Sequence, residues 1–286
     1  MNNINNPLIR FTKDTHTYTT DGFPCYSVNT IKDYFKDKMD EEYWKKYKAV
    51  ELCVPKFKEL KRERFKFPQI ARPPVDWLDE LIDFYIPDYM YESAYQDVCS
   101  DWQASKDDGT DFHDEREAEM YQKGFAVNPW DNKEYPVKEY KKSYDNQSII
   151  QDLGNLEYGC YPELLVFQRA GDIFVTGQAD VVYVTEDKYI YIDDYKTNKK
   201  FSRSKSSRKY YKPFEHLDTS KFTNYAIQMS MYAYILETAG FKVRNVGLHH
   251  YKNYDVSTAK KYDLPYYKDE VKDMMKLFSE NHKIVG

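Results

Sequence analysis

Cysteine is sparse. The 286 residues hold four, at Cys25, Cys53, Cys99 and Cys160, and no CxxC pair. Zinc-ribbon spacing is therefore absent, and scattered buried thiols in a reducing compartment are the expectation. Glycine is also scarce, at ten residues. No GxxxxGK[ST] loop is present, so no ATP-driven motor is built in. Long apolar runs are missing; the longest are about strand length, which leaves nothing to span a bilayer. The N-terminal MNNINNPLIRF lacks the basic start and apolar centre of a signal peptide. A soluble cytoplasmic protein without a membrane partner is expected. Nor is there an overall basic excess: the net charge is −5. That total does not announce a nucleic-acid binder, so distribution has to decide.

The charge that is present is segregated. Residues 76–119 hold fifteen Asp or Glu against two Lys or Arg, whereas KTNKKFSRSKSSRKYYK, 196–212, holds eight Lys or Arg and no acid. A second basic run, KFKELKRERFK, covers 56–66. Such runs are ordinarily solvated faces, unless they lie beside a site.

Periodicity and punctuation outline the elements. Residues 10–26 alternate around Asp21-Gly22, a dipeptide suited to a tight hairpin. Ser27 or Asn29 can cap a helix running to about Ala49. The run 56–66 reads as helix, and 75–106 as helix interrupted at Pro87. Another helix runs from Gly109-Thr110 to about Lys123, with Thr110 as its cap, and 124–150 reads as loop. Strands follow at 163–168, 172–184 and 188–195. After the basic segment come a helix at 219–238 ended by Gly240, a strand at 243–251 and a helix at 268–281. This order predicts a mixed α/β core at 109–286, with a hairpin and helical region at 1–108 packed on it.

The chemistry gathers in GQADVVYVTEDKYIYIDDYKTNKK, residues 177–200. On a strand alternate residues share a face, so Ile190, Ile192, Asp194 and Lys196 point one way, and Tyr189, Tyr191, Asp193 and Tyr195 the other. Asp194 and Lys196 emerge together at the end of an apolar face, and a hairpin brings Asp180 alongside. Glu163 opens the preceding strand. Two such carboxylates ~4 Å apart repel by roughly 4 kcal/mol at an effective dielectric of ~20. A lysine offsets one charge; a divalent cation, for which carboxylate oxygens are suited ligands, offsets more. A lone DxK reads as a surface ion pair. D-x(13)-DxK on consecutive strands, with an upstream Glu, reads as a site.

Gly177-Gln-Ala-Asp180 followed by Asp194-Tyr-Lys196-Thr197 resembles the PD-(D/E)XK nuclease motif, and DYKT its RecB-like branch. GTDFHDERE (109–117) is similar to that branch's GTxxHxxxE helix. PELLVF (162–167) resembles its glutamate-bearing first strand, and QMSMY (228–232) its QxxxY helix. HTYTTDGFPCYSVNTI resembles the start of phage-type members, with Ser27-Val28-Asn29 where they usually read SVT. These motifs run in family order from 109 to 232. Residues 30–108 and 252–286 carry none.

The resemblance implies a restriction-endonuclease-like core: a mixed central sheet flanked by helices. It implies a Mg²⁺- or Mn²⁺-dependent deoxyribonuclease, most often an exonuclease working from DNA ends in phage-type replication, recombination or repair. Asp180, Asp194, His113 and the Tyr195 carbonyl would hold one or two ions. Glu163 would assist a second ion or the water, and Lys196 would position or deprotonate the attacking water. Gln228 and Tyr232 would meet DNA. In the basic segment Lys199, Lys200, Arg203 and Lys205 are candidate backbone contacts. Glu117, one turn from His113, orients a neighbour or faces solvent; Glu115 and Glu119 read as solvated. Asp193 reads as a bystander, Asn224 equally as core or function, and His249 and His250 as structural, at most one facing the core. Members with an iron–sulfur cluster place cysteines after the QxxxY helix; here none follows Cys160, so no cluster is expected. A structure- or sequence-specific endonuclease, a catalytically silent DNA-binding module, and an unrelated metallohydrolase using His113, His249 and His250 stay open. So do a homo-oligomer and a phage recombination partner; for a phage-encoded chain the compartment would be the bacterial host cytoplasm.

Overall fold

The computed structural model describes residues 9–12, 17–20, 23–66, 72–139, 153–197 and 201–282. The chain divides into two units, one comprising Met1–Asp37 with Phe112–Gly286 and the other Lys38–Asp111. The expected division at 108/109 thus shifts: the first 37 residues go with the sheet-bearing part, because one of their strands pairs into its sheet.

That strand follows a small ribbon. β1 (Ile9–Thr12) and β2 (Thr17–Thr20) pair antiparallel, and Thr20 bridges to Phe23. The Asp21-Gly22 turn itself lies outside the described residues. β3 (Cys25–Ser27) leads directly into α1 (Val28–Tyr34). Ser27 is the cap, its hydroxyl accepting from the Thr30 N–H at 3.1 Å. The helix expected to reach Ala49 stops here. A second begins only after Asp40, whose carboxylate caps it by accepting from the Tyr43 N–H at 3.0 Å.

The second unit is helical. α2 (Glu41–Cys53), α3 (Phe57–Phe65) and α4 (Val75–Tyr85) precede α5 (Asp88–Lys123). Tyr43, Tyr47, Val50, Phe57, Trp77, Leu78 and Leu81 form its own core. α5 is 36 residues long and carries the chain back into the first unit. No helix starts at Thr110. Its hydroxyl bonds instead to the Lys106 carbonyl at 3.2 Å, and Gly109 sits within the continuous helix. A glycine there costs about 1 kcal/mol, less than breaking a long helix would.

Beyond α5, β4 (Phe125–Val127) and β5 (Glu134–Pro136) form a hairpin where loop was expected. Three consecutive strands follow: β6 (Gly159–Ala170), β7 (Ile173–Val184) and β8 (Tyr189–Lys196). Then come α6 (Lys221–Thr238), β9 (Lys242–His250), β10 (Lys260–Asp263) and α7 (Lys268–Asn281). The strand order is β10-β9-β8-β7-β3, with β6 on the other edge of β7. β8 and β9 are parallel, joined by α6 as a parallel pair requires, and β3 is parallel to β7; the other pairs are antiparallel. This is an α/β fold with a mixed sheet flanked by helices. One face buries Val182, Val184, Ile190 and Ile192 with Ile227 and Met231 of α6 and Met274 of α7. The other buries Val181, Tyr183 and Tyr191 with Ala126 and Tyr135 of the hairpin. Both faces of β8 are covered, as its apolar run predicted.

One detail of the sheet creates the site. β6 pairs with β7 from end to end. The opposite edge of β7 is shared: β3 takes Phe174–Thr176 and β8 takes Val181–Val184. Residues 177–180 have no ladder partner there among the described residues. β8 runs on past Asp193 attached only to β9, through Asp194↔Leu248, Tyr195↔His249 and Lys196↔His250. The two strands part at Asp180 and Asp194.

No helix among the described residues is long and apolar enough to cross a membrane.

Candidate metal centre

Where β7 and β8 part, backbone groups lose their ladder partners and side chains take their place. The freed Tyr195 N–H donates to Asp180 Oδ2 at 2.6 Å. His113, on the last turns of α5, puts Nδ1 3.3 Å from the same oxygen and 3.6 Å from Glu163 Oε1. One ligand atom from each of His113, Glu163 and Asp180 lies within 4.8 Å of the others.

Glu163 reaches this point through an unusual backbone. It stands opposite Asp180 in the β6–β7 register, between the pairs Pro162↔Val181 and Leu164↔Ala179. Its φ is +48°, in the left-handed region, and Gln178 Nε2 donates to its carbonyl at 3.2 Å. A non-glycine residue held there costs about 1–2 kcal/mol. The strain aims a carboxylate at the fork.

Asp194 and Lys196 form the second half. Lys196 Nζ lies 2.5 Å from Asp194 Oδ2 and donates to the Tyr195 carbonyl at 3.2 Å. Its ammonium also sits 5.2 Å from the centre of the Tyr225 ring. Asp194 is 2 % exposed and Asp180 8 %. Burial pushes the Asp180 carboxyl above its ordinary range, against the pull of His113 and Lys196. Burial likewise raises Asp194, to about 6, against Lys196. Burial alone would lower His113, but Asp180 and Glu163 outweigh it and lift the imidazole to about 9. Lys196 behaves the same way: Asp194 and Asp180 overcome its burial and raise it. The site therefore holds carboxylates that resist being charged together, kept in place by an imidazolium and an ammonium. Two carboxylates with one imidazole nitrogen form an oxygen-rich set that fits Mg²⁺ or Mn²⁺. Asp194 and the Tyr195 carbonyl, expected as ligands, are here engaged by Lys196.

The other expected residues fall as follows. Gln228 Nε2 donates to the Tyr232 hydroxyl at 3.1 Å. Tyr232 is 3 % exposed and packs against Gly177, where a Cβ would lie 2.4 Å from its ring. Tyr232 supports β7 and holds Gln228. Asn224 is structural, bonded to the Thr219 and Ser220 carbonyls, Tyr210 and Lys36. Glu117 is half-buried and stands outside the close cluster, near Tyr121. Arg203 and Lys205 are exposed; Lys199 and Lys200 lie outside the described residues. His249 and His250 are both buried, at 8 % and 7 %, because β9 runs between two strands with both faces covered. His249 lies 3.6 Å from Asp193 and His250 stacks on Phe201, so neither joins His113. Asp193 accepts from Trp130 Nε1 at 2.8 Å on the opposite face from Asp194. Sequence reasoning misses the roles of Gln178 and Tyr225. Gln178 stands inside the GQAD stretch, but only the left-handed Glu163 gives it a purpose.

No family model matches the chain, and no curated protein matches it. Among solved structures, the crystal structure of a protein called SSO0001 aligns with 11% sequence identity and a TM-score of 0.33, over 68% of this chain and 70% of that one. The functional reading rests on the site's own residues.

Proposed function

We propose that this chain is a metal-dependent nuclease of the PD-(D/E)XK type that hydrolyses DNA phosphodiester bonds from DNA ends. The observation that carries this is the fork: His113, Glu163 and Asp180 converge to within 4.8 Å where β7 leaves β8, and Asp194 with Lys196 stands on the diverging strand. The strand order and the α6 crossover support the restriction-endonuclease-like core.

His113, Glu163 and Asp180 would hold the Mg²⁺ or Mn²⁺ ion, with Asp194 available to join them once Lys196 turns to substrate. The bound ion would supply Lewis acidity toward phosphoryl oxygen and a more acidic water. Beside Asp194 and Asp180, Lys196 stands as an ammonium. It would position or deprotonate the attacking water and stabilise the charge that builds on the phosphoryl oxygens. Water adds to phosphorus, the P–O ester bond breaks, and the products are an alcohol and a phosphate monoester. The buried Asp180 keeps its orientation through the Tyr195 N–H, and Gln178 fixes Glu163.

The test is side-by-side digestion of end-labelled linear DNA and covalently closed circles, with Mg²⁺ or Mn²⁺ and with EDTA. Linear DNA degraded to short products while circles persist is the expected result. Discrete fragments from circles would instead identify an endonuclease. Binding without cleavage under any divalent ion would identify a silent DNA-binding module.

A further inference from the structure

α1 contributes a residue to this neighbourhood that no motif points to. Lys32 is 7 % exposed, on a helix that packs against α6, α7 and β7. Its ammonium donates to Asn29 Oδ1 at 2.7 Å, one turn back on the same helix. Among the described residues no carboxylate lies within ion-pair distance of it, and two of its three protons have no acceptor. Its charge is felt by Asp194 and Lys196 at the fork, and by Asp33 and Lys36 on its own side. Those neighbours are already committed: Lys196 to Asp194 at 2.5 Å, and Lys36 to Asp33 at 3.0 Å.

A buried cation without a counter-ion is costly, several kcal/mol by general experience. Burial above all, joined by the Lys36 and Lys196 charges, lowers Lys32 to about 8 against the pull of Asp33 and Asp194. A helix needing only packing at this position would be better served by an apolar chain of the same length. An incoming anion would supply what is missing, and the nearest chemistry is phosphodiester hydrolysis.

We infer that Lys32 is a phosphate-binding residue of the site, its ammonium taking a non-bridging oxygen of the nucleic-acid backbone beside the phosphate that Lys196 faces. The inference rests on the proposed nuclease reading for its ligand, but not for its anion. Lys32 and Lys196 approach from different elements, α1 and β8, so that a backbone in place would be gripped from both.

The test uses the full chain and three forms: wild type, Lys32→Met and Lys32→Arg. Binding of a labelled oligonucleotide without divalent ions, and the thermal shift caused by inorganic phosphate alone, are measured for each. Removing a charge-assisted hydrogen bond from a buried site predicts roughly ten- to hundredfold weaker oligonucleotide binding by Lys32→Met. Its phosphate-induced shift should also vanish, while its ligand-free melting temperature stays at or above wild type. Lys32→Arg, which keeps the charge, should bind within a fewfold of wild type. Unchanged affinity in Lys32→Met would overturn the inference. So would equal losses in Lys32→Met and Lys32→Arg with both melting lower, which marks a purely structural lysine. If wild type binds phosphate through Lys32 yet never cleaves DNA with Mg²⁺ or Mn²⁺, the nuclease reading fails and the anion site stands.

Discussion

Glu163 shows how much of the site depends on one backbone angle. At an ordinary strand position, glycine is less stable than alanine by about 0.5–1 kcal/mol. At a φ of +48° the order reverses, because alanine carries the Cβ clash and glycine does not. Glu163→Gly should therefore be more stable than Glu163→Ala by about 1 kcal/mol in urea unfolding without metal. Both lack the carboxylate, so the difference isolates the strain, and an Ala variant equal to or better than Gly would refute it. His113 gives a pH signature. Its folded value of about 9 lies above the ordinary 6.5. The stability it lends through Asp180 and Glu163 is thus complete below 6.5 and lost as pH rises through 9. A divalent ion needs the neutral ring, so Mn²⁺ affinity should rise across the same window with proton release. Calorimetric titration in two buffers of different ionisation enthalpy would detect this; affinity indifferent to pH would remove His113 from the ligand set.

At the scale of elements, the strands and late helices were legible because their patterns are local. Tyr189–Lys196 and Ile173–Val184 begin and end within a residue or two of where alternation and turn residues place them. The fork was not legible, since Gly177-Gln-Ala-Asp180 alternates small apolar and polar residues as a paired segment would; a missing ladder partner leaves no local mark. α5 misled for the opposite reason. Gly109-Thr110 carries a start signal that continuous helix overrides. Asp180, Asp194, Lys196 and the upstream Glu163 are legible from strand spacing, and His113 as a ligand from resemblance; Lys32 shows only in its burial. Gly177 is a close-approach position whose reason lies across the sheet, at Tyr232. Gly177→Ala would force a Cβ to within 2.4 Å of that ring. It should cost roughly 1–3 kcal/mol by overpacking. It should also loosen the Gln228–Tyr232 bond; unaltered denaturant midpoints would mean that the helix yields without penalty.

For the whole molecule, the net charge of −5 opposes DNA at long range, so on the proposed reading binding would depend on local positive surface. Arg203 is braced over Phe222 and Tyr262, 5.3 and 5.1 Å from the ring centres, while its guanidinium remains on an exposed residue. Neutralising Lys199, Lys200, Arg203 and Lys205 together should flatten the salt dependence of DNA binding. The log–log slope should fall by roughly 0.9 for each duplex phosphate no longer neutralised, with little effect of base sequence. An unchanged slope would make the segment a solvated tether. The shared edge of β7 also sets an order of events during synthesis. Cys25 leaves the ribosome 149 residues before Phe174, its partner in the sheet. At about 5–20 residues per second, β3 waits roughly 7–30 seconds for β7 to exist. The helical stretch 38–111, with its own core, is complete well before then. The nascent chain thus holds a finished helical insert while β3 is still without β7, and the sheet that carries the carboxylates closes after it.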